Sequence, residues 1–331
     1  MKLAPCVLTT LLAGCALQPQ LALPGKVVDP LKAYGQDQDL GLACRLLMAS
    51  RCAYAIAAPG KLDDKDGDHY WACSAENGVV ERREFADGSE RINAVLIELT
   101  PEAVILAFRG TLPRGGNRSD EQVLRDWGAD LEAGLLTDPA IAGQVHQGFD
   151  IAVRSTLTDV LGVLNEWKRE GRLVGKKFYI TGHSKGGAMA SIAAPLLSGN
   201  GFRPDAIYTF AAPRAGDADF KDAYDAKHYN SWRYENRYDV VPHVPPNSTD
   251  DTLVAKVFAD SFREGASRFG SVGNLMYIDW SGHLTATYAG LETERKDRFN
   301  ELIVPSRIAE AVINAHSSGK GDGYGKAVCQ E

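Results

Sequence analysis

The stretch from Phe178 to Pro195 reads FYITGHSKGGAMASIAAP. Its opening residues, Phe178, Tyr179 and Ile180, are aromatic and β-branched and predict a strand, while the small apolar residues after Lys185 predict a helix. The turn between them, Gly182-His183-Ser184-Lys185-Gly186, matches GxSxG. In such a turn the glycines let strand and helix approach closely, and the serine is held at the apex with its hydroxyl exposed. Chance matches to the pattern are common, but here a strand before and a helix after supply the context it requires. A serine hydroxyl is a weak nucleophile near neutral pH; it needs a base within hydrogen-bond reach and a carboxylate to orient that base. Ser184 is therefore the candidate nucleophile, and its partners are sought downstream.

The chain has 331 residues, 44% of them hydrophobic, enough for a substantial core. No linker-like shift in composition divides it, so residues 30–331 are expected to form one domain. A net charge of −7 and a pI near 5.6 argue against a nucleic-acid partner.

The N-terminus, MKLAPCVLTTLLAGC, has one lysine, a short apolar run and then Leu12-Ala13-Gly14-Cys15. The run is too short to span a bilayer as a helix and reads as an export signal. LAGC looks like a bacterial lipobox, in which cleavage before the cysteine leaves it to carry a lipid. That resemblance implies a signal at residues 1–14, a lipidated Cys15 and a tether over residues 15–29, placing the protein in the cell envelope on a membrane. Ordinary secretion with cleavage elsewhere is the alternative.

Four further cysteines, Cys44, Cys52, Cys73 and Cys329, remain after export, consistent with two disulfides among three pairings. Cys44 and Cys52 lie on an expected helix, LACRLLMASRCAYAIA. Eight residues of helix rise roughly 12 Å, beyond disulfide reach, so that pair is the least favoured. Asp63, Asp64, Asp66 and Asp68 surround Gly67, but the glycine is out of register for a calcium loop, and a solvated turn without metal is expected.

Strands are expected near 79–85 and 91–99, and Val104–Phe108, VILAF, is a short apolar run of the buried parallel type, ending in Arg109-Gly110-Thr111. Leu157, Leu161, Leu164 and Trp167 recur at helical spacing and predict core contacts. Ala206–Phe210 and Trp232–Asn236 read as the next strands.

Ordered blocks run through this region: AFRGT at Ala107–Thr111, DWGADL at Asp126–Leu131, VHQGF at Val145–Phe149, TGHSKGG at Thr181–Gly187, TFAAPRAGD at Thr209–Asp217 and NRYDVVPHVPP at Asn236–Pro246. In combination they resemble the class 3 lipases, the fungal triacylglycerol lipases and their bacterial relatives. The resemblance implies an α/β-hydrolase fold, a mostly parallel central sheet flanked by helices. It also implies a serine hydrolase acting on carboxylic esters without cofactor or metal. In that family the residue after the FRG strand end and the residue after the serine donate to the oxyanion; here they are Thr111 and Lys185. The polar, Gly-rich segment 112–125 stands where the family keeps its lid, and it has few apolar residues. His146 matches a structural position beside the elbow.

Asp239 falls just past an expected strand, where sites gather in an open parallel sheet, and is the candidate orienting carboxylate. In the family pattern Asp217 and Asp219 follow the wrong strand and are set aside. Only His243, His283 and His316 lie beyond Asp239. His243 is too close in sequence to arrive on a separate loop, and His283 sits in an expected hairpin. His316, which follows the helix-like SRIAEAVINA and precedes Ser317 and Tyr324, resembles the family's C-terminal histidine and is preferred over His283 as the base. The expected activity is a lipase or esterase acting on acylglycerols. A phospholipase or short-chain carboxylesterase is the alternative, since Lys185 stands where many of these lipases carry leucine. A non-catalytic surface lipoprotein that kept the fold is the reading from outside the enzymes.

Overall fold

The structure, a computed structural model, describes residues 40–56, 78–88, 92–112, 134–245, 269–287, 290–291, 293, 313–319 and 323–330. The expected export signal, Cys15, the tether, the acidic turn at 63–68, the segment 113–125 and Cys73 lie outside these residues.

The main sheet is built from β1 (Glu81–Ala86), β2 (Ala94–Leu99), β3 (Ala103–Phe108), β6 (Lys177–His183), β7 (Ala206–Phe210), β9 (Ser231–Asn236), β11 (Asn274–Ile278) and β12 (Leu284–Ala286). They lie side by side in that order. Strands β3, β6, β7, β9 and β11 run parallel, and the antiparallel β1, β2 and β12 complete the two edges. This is the mostly parallel sheet expected of the α/β-hydrolase fold.

Period-two alternation divides its side chains between two cores. Val104, Leu106 and Phe108 of β3 pack on one side with α2 (Gln147–Arg169) and α3 (Lys185–Gly199). Ile105 and Ala107 pack on the other with α1 (Leu40–Ala53) and α5 (Tyr324–Cys329). Because both faces are covered, β2 and β3 are apolar nearly throughout. The exception, Glu98 in β2, is held by Arg45 at 2.9 Å and Arg82 at 2.7 Å. In α2, Leu164 and Trp167 are buried as expected, whereas Leu157 and Leu161 are only partly so. A disulfide joins Cys44 in α1 to Cys329 in α5, and Cys52 is disulfide-bonded as well.

A second, antiparallel sheet was not foreseen. It consists of β4 (Leu135–Thr137), β5 (Gln144–His146), β8 (Gly216–Asp217) and β10 (Phe269–Gly270). Two and three residues are too few to register as periodicity. His146 caps α2 and stacks on Phe149 with ring centroids 3.9 Å apart. Asp217 caps α4 (Ala218–Ala226) by accepting from the Phe220 amide. Both are structural, in keeping with the sequence reading.

Candidate active site

The elbow forms where β6 meets α3. Ser184 adopts φ 58° and ψ −134°, a conformation an L-residue holds only when its surroundings impose it. The glycines explain how they do so. A Cβ on Gly182 would run into the Gly186 carbonyl, and one on Gly186 would run into the Phe108 carbonyl of β3. Strand, helix and neighbouring strand thus meet with no room for side chains, and the serine is left at the apex.

Three strands deliver the candidate residues to one end of the sheet. Ser184 follows β6, Asp239 follows β9, and Thr111 follows β3, all at carboxyl ends. His316 arrives from the C-terminal segment, in the helical stretch 313–316. Its Nε2 lies 2.9 Å from Ser184 Oγ, and its Nδ1 lies 2.9 and 3.0 Å from the two Asp239 oxygens. The carboxylate can only accept, so Nδ1 carries the hydrogen and Nε2 is the acceptor facing the serine hydroxyl.

Asp239 is fully buried, yet both its oxygens are occupied. Oδ1 accepts from the Val241 amide at 2.9 Å, and Oδ2 accepts from the Tyr324 hydroxyl at 2.8 Å. Burial pushes the Tyr324 phenol well above its ordinary range, and the neighbouring Asp239 charge adds to the shift. The phenol therefore stays protonated and donates. Its oxygen accepts from the Asn236 amide at 3.0 Å, at the end of β9.

His283 takes no part in this cluster. It sits in the β11–β12 hairpin, where its amide donates to Asp279. Lys185 is the first residue of α3; its amide faces the serine end of the helix, while its Nζ reaches Asn93 Oδ1 at 2.8 Å. Gly186 rests on the end of β3, so the start of α3 packs against the strand end that precedes Thr111. Among the described residues, no group of three His, Cys, Asp or Glu side chains is arranged to hold a metal ion.

Two polar residues at the site went unassigned in the sequence. His183, inside the motif itself, has Nδ1 2.8 Å from the Tyr54 hydroxyl and Nε2 2.7 Å from the His316 carbonyl. Nothing in the spacing of the chain links Tyr54 to the elbow; only the packing of α1 against β6 brings them together.

Comparison with known proteins points the same way. Residues 105–249 match the family model described as Lipase (class 3). The chain is 32% identical over 124 residues to secreted mono- and diacylglycerol lipase 1 of Fusarium solani, an alignment covering 37% of this chain and 36% of that protein. It is 32% identical over 149 residues to phospholipase A1-IIgamma of Arabidopsis thaliana, covering 37% and 36% respectively. The chain thus spans little more than a third of the length of either relative. Among solved structures, the native Rhizomucor miehei lipase propeptide complex superposes with a TM-score of 0.54 at 23% identity, covering 86% of this chain and 81% of that one. At that identity the likeness speaks for the fold.

Proposed function

We propose that this chain, whose residues 105–249 match the class 3 lipase family model, is a serine hydrolase that cleaves carboxylic esters of acylglycerols. Ser184 Oγ attacks the ester carbonyl as His316 Nε2 takes its proton. Asp239 holds the imidazole in the required tautomer and stabilises the imidazolium that forms. The amides of Thr111 and Lys185 donate to the oxyanion, the second with the added field of the α3 N-terminus. The imidazolium then gives its proton to the leaving alcohol, and water, activated by the same imidazole, releases the acid from the acyl-enzyme. The observation that carries this reading is the bridging imidazole, 2.9 Å from Ser184 Oγ on one side and 2.9 Å from Asp239 Oδ2 on the other.

The test is labelling of the purified protein with a fluorophosphonate, followed by turnover of mono-, di- and triacylglycerols. Wild type is expected to label and to hydrolyse them; Ser184→Ala is expected to do neither at an unchanged thermal midpoint. Labelling retained in the variant would place the reactive serine elsewhere.

A second reading is favoured by Lys185, whose ammonium lies one residue from the nucleophile, and by the similarity to a phospholipase A1. Under it the substrate is a phospholipid, and turnover of phosphatidylcholine vesicles would exceed that of acylglycerols. Export belongs to the same proposal, supported by the similarity to a secreted lipase and by the N-terminal sequence, with Cys15 carrying a lipid anchor. Cys15→Ser should then move active protein from the membrane to the soluble exported fraction; unchanged partitioning would remove the anchor.

A further inference from the structure

Tyr54 and His183 lie behind the nucleophile, on the α1 side of the sheet, both buried. The Tyr54 oxygen accepts from the Gly110 amide. A Cβ on Gly110 would run into that same oxygen, so only glycine lets the phenol approach the backbone here. The phenol's hydrogen is left for His183 Nδ1, 2.8 Å away. On its other side, His183 Nε2 lies 2.7 Å from the His316 carbonyl. A carbonyl only accepts, so Nε2 carries the hydrogen and, in the neutral ring, Nδ1 accepts from Tyr54. Every role in the chain is thereby fixed: Gly110 N–H to Tyr54 Oη, Tyr54 O–H to His183 Nδ1, His183 Nε2–H to His316 O.

We infer that Tyr54 and His183 are positioning residues, a buried hydrogen-bonded strut that sets the main chain of His316 relative to the end of β3 beside Thr111. The inference rests on the proposed roles of His316 as base and Thr111 as oxyanion donor. His316 is carried by a segment separate from the strands that bear Ser184 and Asp239, so its imidazole depends on contacts that fix its backbone. The strut supplies one, and it ends at the residue preceding Thr111. Base and oxyanion donor are therefore tied to one rigid line. The His183 ring centroid is 4.9 Å from that of His316, and a second imidazolium there would oppose the charge that His316 must take up during attack. Burial holds the Tyr54 phenol above its ordinary range, against the opposing pull of Arg109, so it remains a donor. Simple packing would be met as well by an apolar pair; two buried polar side chains with matched partners cost desolvation that packing alone does not return.

The test compares Tyr54→Phe, His183→Leu and His183→Gln with wild type. Each is checked for an unchanged thermal transition, then measured for kcat, KM and the proton spectrum of the His316 Nδ1–H. A misplaced base slows the chemical step without weakening ground-state binding, so the loss belongs in kcat. Tyr54→Phe is expected to lower kcat about tenfold and His183→Leu about a hundredfold, each with KM within about twofold of wild type. His183→Gln keeps a donor at the Nε2 position and should recover to within about tenfold of wild type. The downfield Nδ1–H resonance should shift or broaden in Tyr54→Phe and His183→Leu and return in His183→Gln. Wild-type kcat in Tyr54→Phe together with an unmoved resonance would overturn the inference, as would equal losses in the leucine and glutamine variants. If wild type itself failed to label at Ser184, the proposed function would fall, while the spectrum would still decide whether the strut sets His316.

Discussion

Asp239 and Asp150 are both carboxylates buried beneath the surface, and their surroundings differ in one respect. Around Asp239 every direction is filled by a donor: His316 Nδ1, the Val241 amide and the Tyr324 hydroxyl. Asp150, in the first turn of α2, has Arg154 Nε at 3.2 Å from Oδ2 and, among the described residues, no partner for Oδ1. Arg154 is itself shared with Asp138, whose other oxygen accepts from the Ala140 amide at 2.7 Å. Burial accordingly pushes the Asp150 carboxyl above its ordinary 3.8. A buried charge is sustained by the donors arranged for it. Donors surround the carboxylate proposed to orient the base and are incomplete around Asp150.

The largest effect expected of this contrast lies at Asp239. Asp239→Asn keeps one carbonyl oxygen, which can still accept from the Val241 amide, and its Nδ2 can donate to the Tyr324 oxygen, so the fold should hold. Its amide cannot enforce the Nδ1–H tautomer, and His316 would then present a hydrogen rather than a lone pair to Ser184. A fall in kcat of about 10⁴-fold is expected at an unchanged thermal midpoint. A loss under tenfold would mean that the carboxylate does not govern the imidazole.

Of intermediate size is the effect of the Cys44–Cys329 disulfide, which closes a loop of sequence separation 285 and pins α5 to α1. Helix α5 opens with Tyr324, a donor to Asp239. Replacing both cysteines by serine is expected to cost about 2–4 kcal/mol in denaturant unfolding, mainly through the freed unfolded chain. Because Tyr324 is also held by packing, fully buried in the core shared with α1, kcat of the folded variant should stay within about tenfold. A greater kinetic loss would show that the cross-link, rather than packing, keeps the donor beside Asp239.

How far the sequence reveals the site follows from the range over which each signal acts. Ser184, the close approach of Gly182 and Gly186, and the placement of Asp239 after a strand are local in origin, and the structure brings these residues together as the motifs imply. His316 could be preferred over His283 because a hairpin fixes its residues near its own strands, and the hairpin is where His283 lies. Tyr54 carries no comparable signal. It sits 129 residues from His183, and the helix periodicity around it shows only that its neighbours are buried. The unoccupied Asp150 oxygen and the second sheet were hidden for related reasons, the one resting on tertiary contacts and the other on strands too short to show a period.

The smallest effect should be at Asp150, and its sign separates desolvation from ion pairing. A carboxyl whose pKa is higher in the folded than in the unfolded chain binds more protons when folded. Its contribution to stability is fully present below the unfolded pKa and is lost as pH rises through the folded one. At neutral pH wild type therefore carries a penalty that Asp150→Asn removes, while the asparagine oxygen can still accept from Arg154, which keeps Asp138. The attraction to Arg154 is discounted by solvent, since that side chain is 41% exposed. Asp150→Asn is expected to raise the thermal midpoint at pH 7 by about 2 °C, on the order of 1 kcal/mol or less. The advantage should shrink as pH is lowered into the carboxylate range, because the folded wild type takes up its proton before the unfolded chain does. A lower midpoint for the variant at pH 7 would mean that the pull of Arg154 exceeds the cost of burial. Asp150 would then join Asp239 as a carboxylate its surroundings sustain, and the contrast between the two would rest on function alone.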